Sequence, residues 1–393
     1  MNLRPNRRQI LAAAGTTLLS VSPLGRLAHA AAAAGTAAPA PKLLILIELR
    51  GGNDALNTVL PDDESRYREL RPRLALPDDA RLQLASGLTV HSALAPLRNA
   101  WDAGELAVLR GIGYPQPNLS HFRSIEIWDT ASNADQTLQR GWLTRVVAGD
   151  QARFAAFSAD GVVIGAPDLG PLGGGARAVA MNDPTRFARA ARLAHAADVQ
   201  AVGPMAHLLR VEADALRAAS EIQPDMTLPV DFPRTGFGQA ARQAAALAVT
   251  RRVAVIRLTL GGFDTHQNQL PLHAALLGQL AEGIAALRSA LIATGLWQLT
   301  LMATYSEFGR RPRENGTTGS DHGSAGVHFV LGGRVRGAVL GDPLALDRLD
   351  DAGNPPHSID FRALYASVLE DWWQIDSLPV LGQRFRPLPL LRV

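Results

Sequence analysis

Hydrophobic positions along the chain fall into two kinds of run. Short, nearly continuous apolar stretches occupy residues 43–49, interrupted only by Glu48, and residues 106–111, 253–260, 297–304 and 327–331. Runs of this length, bounded by Gly, Asn and Asp, predict strands buried on both faces. Longer stretches repeat apolar residues at helical spacing: 91–103 through Leu94, Leu97 and Trp101, then 120–130, 272–294, and 361–373 through Leu364, Val368 and Trp372. Residues 182–252 are rich in Ala and Arg, also at helical spacing, and are broken by prolines at 224–233; His195 and His207 there read as filler rather than ligands. The pieces at 67–77 and 82–88 read as loops and short extended pieces, 141–147 and 154–164 as an irregular middle, 340–353 as a loop, 311–320 as a flexible loop and 383–393 as an extended outer tail. Strands alternating with helices predict an α/β fold in which Ala-rich helices cover a sheet.

Polar residues sit where these strands end. The first strand runs into Gly51-Gly52-Asn53-Asp54, the third into Gly261-Gly262-Phe263-Asp264-Thr265-His266, and the fourth into Ser306-Glu307-Phe308, followed by Ser320-Asp321-His322-Gly323. Open α/β sheets gather ligand-binding groups at the carboxyl edge in this way. The plain alternative for Asp54 is a cap on the turn or helix that follows. Asp264 and His266 alternate with Phe263 and Thr265, so in an extended loop they project to one side and can grip one cation; a buried, satisfied pair is the competing reading. His273 is a less secure third. Ser120 opens a helix after a Pro-rich turn, which makes it either an N-cap or a hydroxyl placed to meet an anionic ester at the helix N-terminus. Carboxylates gathered at one edge repel one another unless a cation neutralises them. Mixed carboxylate and imidazole donors without thiolate suit zinc, manganese or iron rather than calcium.

The 393 residues carry a formal charge of +3, but Arg4, Arg7, Arg8 and Arg26 lie in a leader without acids, and subtracting those four leaves −1. A nucleic-acid partner is therefore not supported. Cysteine is absent, which excludes disulfides, Cys-ligated zinc, iron–sulfur clusters and a thiol nucleophile. Residues 1–30 read as a Tat export signal: Asn6-Arg7-Arg8-Gln9-Ile10-Leu11, a short apolar segment and Ala28-His29-Ala30. That segment is too short to span a bilayer, so the mature protein is expected to have no stable membrane span and to meet the Tat translocase during export to the periplasm or beyond. Residues 31–41 form a flexible linker, and 42–393 a single domain.

The strings LRGGND, SHF, GGFDTH, SEFGRR with a downstream NG, and DHG followed by FVLGG resemble the DUF1501 family of exported bacterial proteins over nearly all of the mature chain. The resemblance implies an alkaline phosphatase-like fold, a central mostly parallel mixed sheet with helices on both faces. It also implies hydrolysis of phosphate or sulfate esters, small-molecule or polysaccharide, by one or two divalent metals, zinc or manganese. The superfamily pattern carried over makes Ser120 the nucleophile and Asp54, Asp264, His266, Glu307, Asp321 and His322 the metal ligands. Two alignments of the last strand stay open. Either Glu307 replaces the usual acid and Phe308 the usual histidine, with His322 as the final ligand, or Asp321-His322 is the usual pair and His328 or His357 completes it. Phe308 leaves room for one metal or none, and so for a catalytically silent binding or assembly factor. Arg310, Arg311 and Arg313 are read either as a solvated loop face or as a contact for an anionic polysaccharide.

Overall fold

Strand β1 (Leu43–Arg50) is buried except at its last residue, and its side chains enter two different cores. Ile45, Ile47 and Leu49 pack into one core with the helices Gly236–Thr250 and Gln269–Ala293. Leu44 and Leu46 pack into another, with Trp128, Trp142, Phe361, Tyr365 and Trp372. Alternate residues buried on opposite sides mark an interior strand of a sheet covered on both faces. The computed structural model describes residues 42–181 and 227–392, within the compact unit Lys42–Val393. The expected export signal (1–30), the linker (31–41), and the stretch from residue 182 with His195 and His207 lie outside the described residues.

A small hairpin, β2 (Arg81–Ala85) with β3 (Leu88–His91), stands apart from the main sheet. Among the described residues that sheet has nine strands. Its far wing starts from β4 (Leu106–Gly113), and its other wing is β5 (Ala159–Ile164) beside β6 (Ala178–Met181). β1 lies between β7 (Val253–Gly261) and β8 (Thr300–Tyr305), parallel to both, and β7 continues in parallel to β5. After β8 the chain makes a separate antiparallel hairpin, β9 (Gly309–Glu314) with β10 (Ser320–Gly323). It then enters β11 (Gly326–Gly332), which pairs antiparallel with both β8 and β4. β12 (Ala338–Leu340) and β13 (Ile359–Asp360) flank β4 in parallel. Among the described residues β11 alone runs against the rest, so β1, β4, β7 and β8 open their carboxyl ends on one edge. The mostly parallel, two-faced architecture agrees with the fold class expected from the sequence.

Several local expectations are corrected. The irregular middle holds a helix, Trp142–Gly149, and strand β5. β5 carries a weak apolar signal because Gly161 lies inside it, and a Cβ there would come 2.2 Å from Leu172. The flexible loop at 311–320 is largely the β9–β10 hairpin. Its sequence reads as polar because ions and backbone hold it: Glu314 pairs with Arg73, and Arg71 donates to the carbonyls of Arg311 and Pro312. The single helix expected over 91–103 is a 3₁₀ turn, Ser92–Leu97 with Pro96 inside, continuing as Arg98–Asp102. The segment 361–373 begins as an α-helix and widens to a π-helix from Ser367. The tail is not merely external, since Leu390 is buried.

Candidate metal centre

Each strand end contributes differently. After β1, Gly51 and Gly52 take φ of +118° and +84°. Glycine is required at both: a Cβ on Gly51 would lie 2.3 Å from the Asp264 amide nitrogen, and one on Gly52 would lie 2.6 Å from the Phe308 ring. This close approach lays the β1 loop against the β7 and β8 loops. Asp54 follows, fully buried, and its Oδ1 accepts the Leu56 amide at the start of the short helix Ala55–Thr58. Its carboxylate faces the buried Arg71 guanidinium at 2.5 and 3.0 Å and also accepts from Gln269 Nε2. Burial alone would raise its pKa, but Arg71 holds it below the ordinary carboxylate value. Asp54 thus takes the capping role, and the structure does not bring it to the other candidate ligands.

β4 leads through Tyr114 and a Pro-rich turn to the helix His121–Thr130. Ser120 occupies the N-cap, exposed, and its side chain makes no capping bond. The next residue, His121, was not singled out from the sequence, and it proves central. Its Nδ1 lies 2.8 Å from Glu307 Oε1 and its Nε2 3.4 Å from Asp264 Oδ2. The signal was present in the SHF string, where a histidine opens a helix beside the candidate nucleophile.

After β7, Asp264 and His266 meet as their spacing suggested, with Nε2 of His266 3.0 Å from Asp264 Oδ1. From β10, His322 places its Nε2 3.1 Å from the same Oδ1 and 3.0 Å from His266 Nε2. Three imidazoles therefore turn Nε2 toward one carboxylate. Each has an acceptor behind its Nδ1: Glu307 for His121, the Leu119 carbonyl at 2.8 Å for His322, and Asp321 Oδ1 at 3.4 Å for His266. An imidazole that donates through Nδ1 presents a lone pair at Nε2, the arrangement by which metal-binding histidines are oriented.

Glu307 stands behind His121 rather than free in the cluster. It is buried, accepts the Gly51 amide at 2.9 Å, and has Ser306 Oγ at 3.3 Å. Its hydrogen bond raises the pKa of His121. Burial lowers that of His322, although Leu119 and Asp264 act against it. Asp264 is half-exposed; desolvation would raise its pKa, but hydrogen bonds from Arg310 and His322 hold it at about 2. Arg310 is fully buried and donates to Asp264 Oδ1 at 2.7 Å and to the carbonyls of Gly51, Gly52, Phe263 and Ser320, so it is neither a solvated loop arginine nor a surface contact for polysaccharide. Phe308 packs its ring on those of His121 and His322, with centroids 4.8 and 4.4 Å away.

The other histidines stay apart. His273 faces Asn53 Oδ1 at 2.9 Å beneath the β1 loop, with its pKa pushed down to about 4 by burial. His328 lies inside β11 against Trp128, pushed down to about 3 by burial. His357 is half-buried next to Gly113. Among the described residues, His121, Asp264 and His322 offer donor atoms that all lie within 4.8 Å of one another, and His266 Nε2 adds a fourth at 3.0 Å from both Asp264 Oδ1 and His322 Nε2.

Donors around a tetrahedral zinc at about 2.0–2.1 Å stand about 3.3 Å apart. The triangle of Asp264 Oδ1, His266 Nε2 and His322 Nε2 has sides of 3.0, 3.1 and 3.0 Å, and its nitrogen and oxygen donors suit zinc or manganese. Two imidazole lone pairs 3.0 Å apart also repel unless a cation or proton lies between them. The residues fit a divalent metal. Arg310 neutralises part of the Asp264 charge and so weakens the grip of the carboxylate.

No curated protein matches the sequence. Solved structures similar to the chain include the lipoteichoic acid synthase LtaP from Listeria monocytogenes, at 8% identity over 76% of this chain and 67% of that one, with a TM-score of 0.35. The C-terminal periplasmic domain of EcEptC from Escherichia coli, in complex with Zn, shares 9% identity over 74% and 72%, with a TM-score of 0.36. The phosphonate monoester hydrolase SpPMH from Silicibacter pomeroyi shares 12% over 77% and 70%, with a TM-score of 0.33. At these TM-scores the likeness identifies neither an activity nor a ligand. Residues 113–379, which contain every member of the imidazole–carboxylate cluster, match the model described as "Protein of unknown function (DUF1501)", and the chain belongs to the DUF1501 family.

Proposed function

We propose that this protein is an exported, metal-dependent hydrolase of phosphate or sulfate esters. The observation that carries the reading is the convergence of His121, His266 and His322, each with an acceptor behind Nδ1, on Asp264 at the carboxyl edge of the sheet. Asp264, His266 and His322, the triangle whose sides fit a divalent ion, would hold the metal together with His121. A metal bound there would supply Lewis-acid polarisation of the ester and lower the pKa of a nearby hydroxyl or water.

The chain's own residues supply the rest. Glu307 and the Leu119 carbonyl fix the tautomers of His121 and His322. Arg310 ties four loop carbonyls together and keeps Asp264 ionised. The hydroxyl of Ser120, exposed and free of a capping bond, stands at the N-terminus of a ten-residue helix, whose N–H groups favour an anionic ester, and is the candidate nucleophile. Export rests on the twin-arginine leader.

Phe308 favours a second reading, a silent binding or assembly factor on the same fold, because its apolar ring covers one side of His121 and His322. Both readings are tested with the purified mature protein, by zinc and manganese titration and by turnover of aryl phosphate and aryl sulfate esters. The hydrolase reading expects one equivalent of metal, turnover that chelation removes, and loss of both in His121→Ala and His322→Ala. Metal binding without turnover supports the silent factor, and absence of both refutes the metal centre.

A further inference from the structure

A cleft of about 360 Å³ lies on the β4 side of the edge, lined by Gln116, Pro117, Arg348, Asp350, Pro355 and His357 among others. That volume is within the range of small-molecule sites. The segments that build the imidazole cluster also build this cleft. One wall, residues 114–117, runs on to Leu119, whose carbonyl holds His322, and to His121; the opposite wall meets Ser324, two residues beyond His322.

Both walls are fixed in place. The hydroxyl of Tyr114 receives the Asn118 amide at 3.1 Å and contacts Ser124 Oγ at 2.8 Å, which clamps the Pro-rich turn. Ser324 Oγ donates to the Pro355 carbonyl at 2.6 Å, and Asp350 accepts the Asn354 amide at 2.7 Å, which close the other wall into a turn. Gln116 holds a φ of +53°, a left-handed conformation that costs a non-glycine residue energy and recurs at ligand sites. Asn354 is buried and gives both Nδ2 bonds to Asp350, which leaves its Oδ1 without a partner among the described residues.

The charges select the ligand. Arg348 and Asp350 are both exposed and neither sits in a close ion pair among the described residues; Asp350 is held by hydrogen bonds from Asn354, with the charge of Arg311 acting on it from further away. One guanidinium and one carboxylate cancel, so the cleft attracts neither an anion nor a cation strongly. They offer donors and acceptors at fixed places between proline rings, which is what a neutral ring bearing several hydroxyls requires.

We propose that this cleft is a saccharide subsite that holds the sugar portion of the ester, with Arg348 and His357 donating to its hydroxyls and Asp350 accepting from them. Its role as a substrate subsite rests on the hydrolase reading; its affinity for sugar does not. The test is equilibrium binding of methyl galactoside and methyl glucoside, followed by ligand-observed NMR on the full mature protein. At least one of the two is expected to bind the parent, with Arg348→Ala and His357→Ala each weakening it about tenfold and His121→Ala leaving it unchanged. No binding to the parent, equal binding by the cleft variants, or loss in His121→Ala alone overturns the proposal. Absence of aryl ester turnover with this binding pattern intact would sink the hydrolase reading and leave the subsite standing.

Discussion

Replacing Asp54 by Asn separates the two roles this residue can have. Its carboxylate lies against Arg71, both side chains are fully buried, and Gln269 and Leu56 also donate to it. The substitution keeps the shape and removes the charge, so the Arg71 cation stays buried with its hydrogen bonds to Asn57 and the Arg311 and Pro312 carbonyls but without a counter-ion. Removing one partner of a buried ion pair costs about 3–5 kcal/mol. In a chain of this length each kcal/mol moves the unfolding midpoint by about 2 °C, so Asp54→Asn is expected to melt about 6–10 °C below the parent. The pH dependence has a definite sign. Because the folded pKa of Asp54 is depressed, its contribution is complete above the unfolded value near 3.9 and is lost as pH falls through the lower folded value. The midpoint difference between parent and variant should therefore narrow below about pH 4. Thermal unfolding from pH 3 to 8, with zinc titration of the folded variant, measures both effects. A variant that melts like the parent but no longer binds zinc would refute the structural assignment and return Asp54 to the ligand set.

Three further outcomes are expected. Glu307→Gln keeps an acceptor beside His121 but removes the buried charge, and zinc affinity should fall about tenfold in direct titration, as for other orienting carboxylates. Gly51→Ala drives a Cβ to 2.3 Å from the Asp264 amide, so the loop must shift; zinc binding should be lost while far-UV circular dichroism at low temperature stays that of the parent. Asp129→Asn should stabilise the protein near neutral pH. The Asp129 Oδ1 has no partner among the described residues, and burial, with the negative charges of Glu48 and Asp168, pushes its pKa up to about 8 against the opposing charge of Arg257. A raised carboxyl pKa means that stability is lost as pH climbs from the unfolded value near 3.9 toward 8, at most about 6 kcal/mol, and the variant should flatten that decline in denaturant titrations.

The apolar runs made the central strands legible because a strand buried on both faces has no polar alternation to confuse with a loop. Asp264 with His266 was legible for a related reason: two residues on one side of an extended loop stay neighbours whatever surrounds them. Strand β5 and the β9–β10 hairpin escaped because other parts of the chain stabilise them. Leu172 fills the space over Gly161, and Arg71 and Arg73, some 240 residues away in sequence, bind the hairpin.

The sequence by itself determined that strands end in carboxylates and imidazoles, and that these ends share an edge. It could not decide which acids face the opening and which face an arginine, because that depends on partners distant along the chain. Asp54 met Arg71 and Gln269; Glu307 met His121 and Gly51; Arg310 turned inward onto four carbonyls. A carboxylate's role follows from the nearest positive charge and the nearest water, and tertiary structure alone sets both.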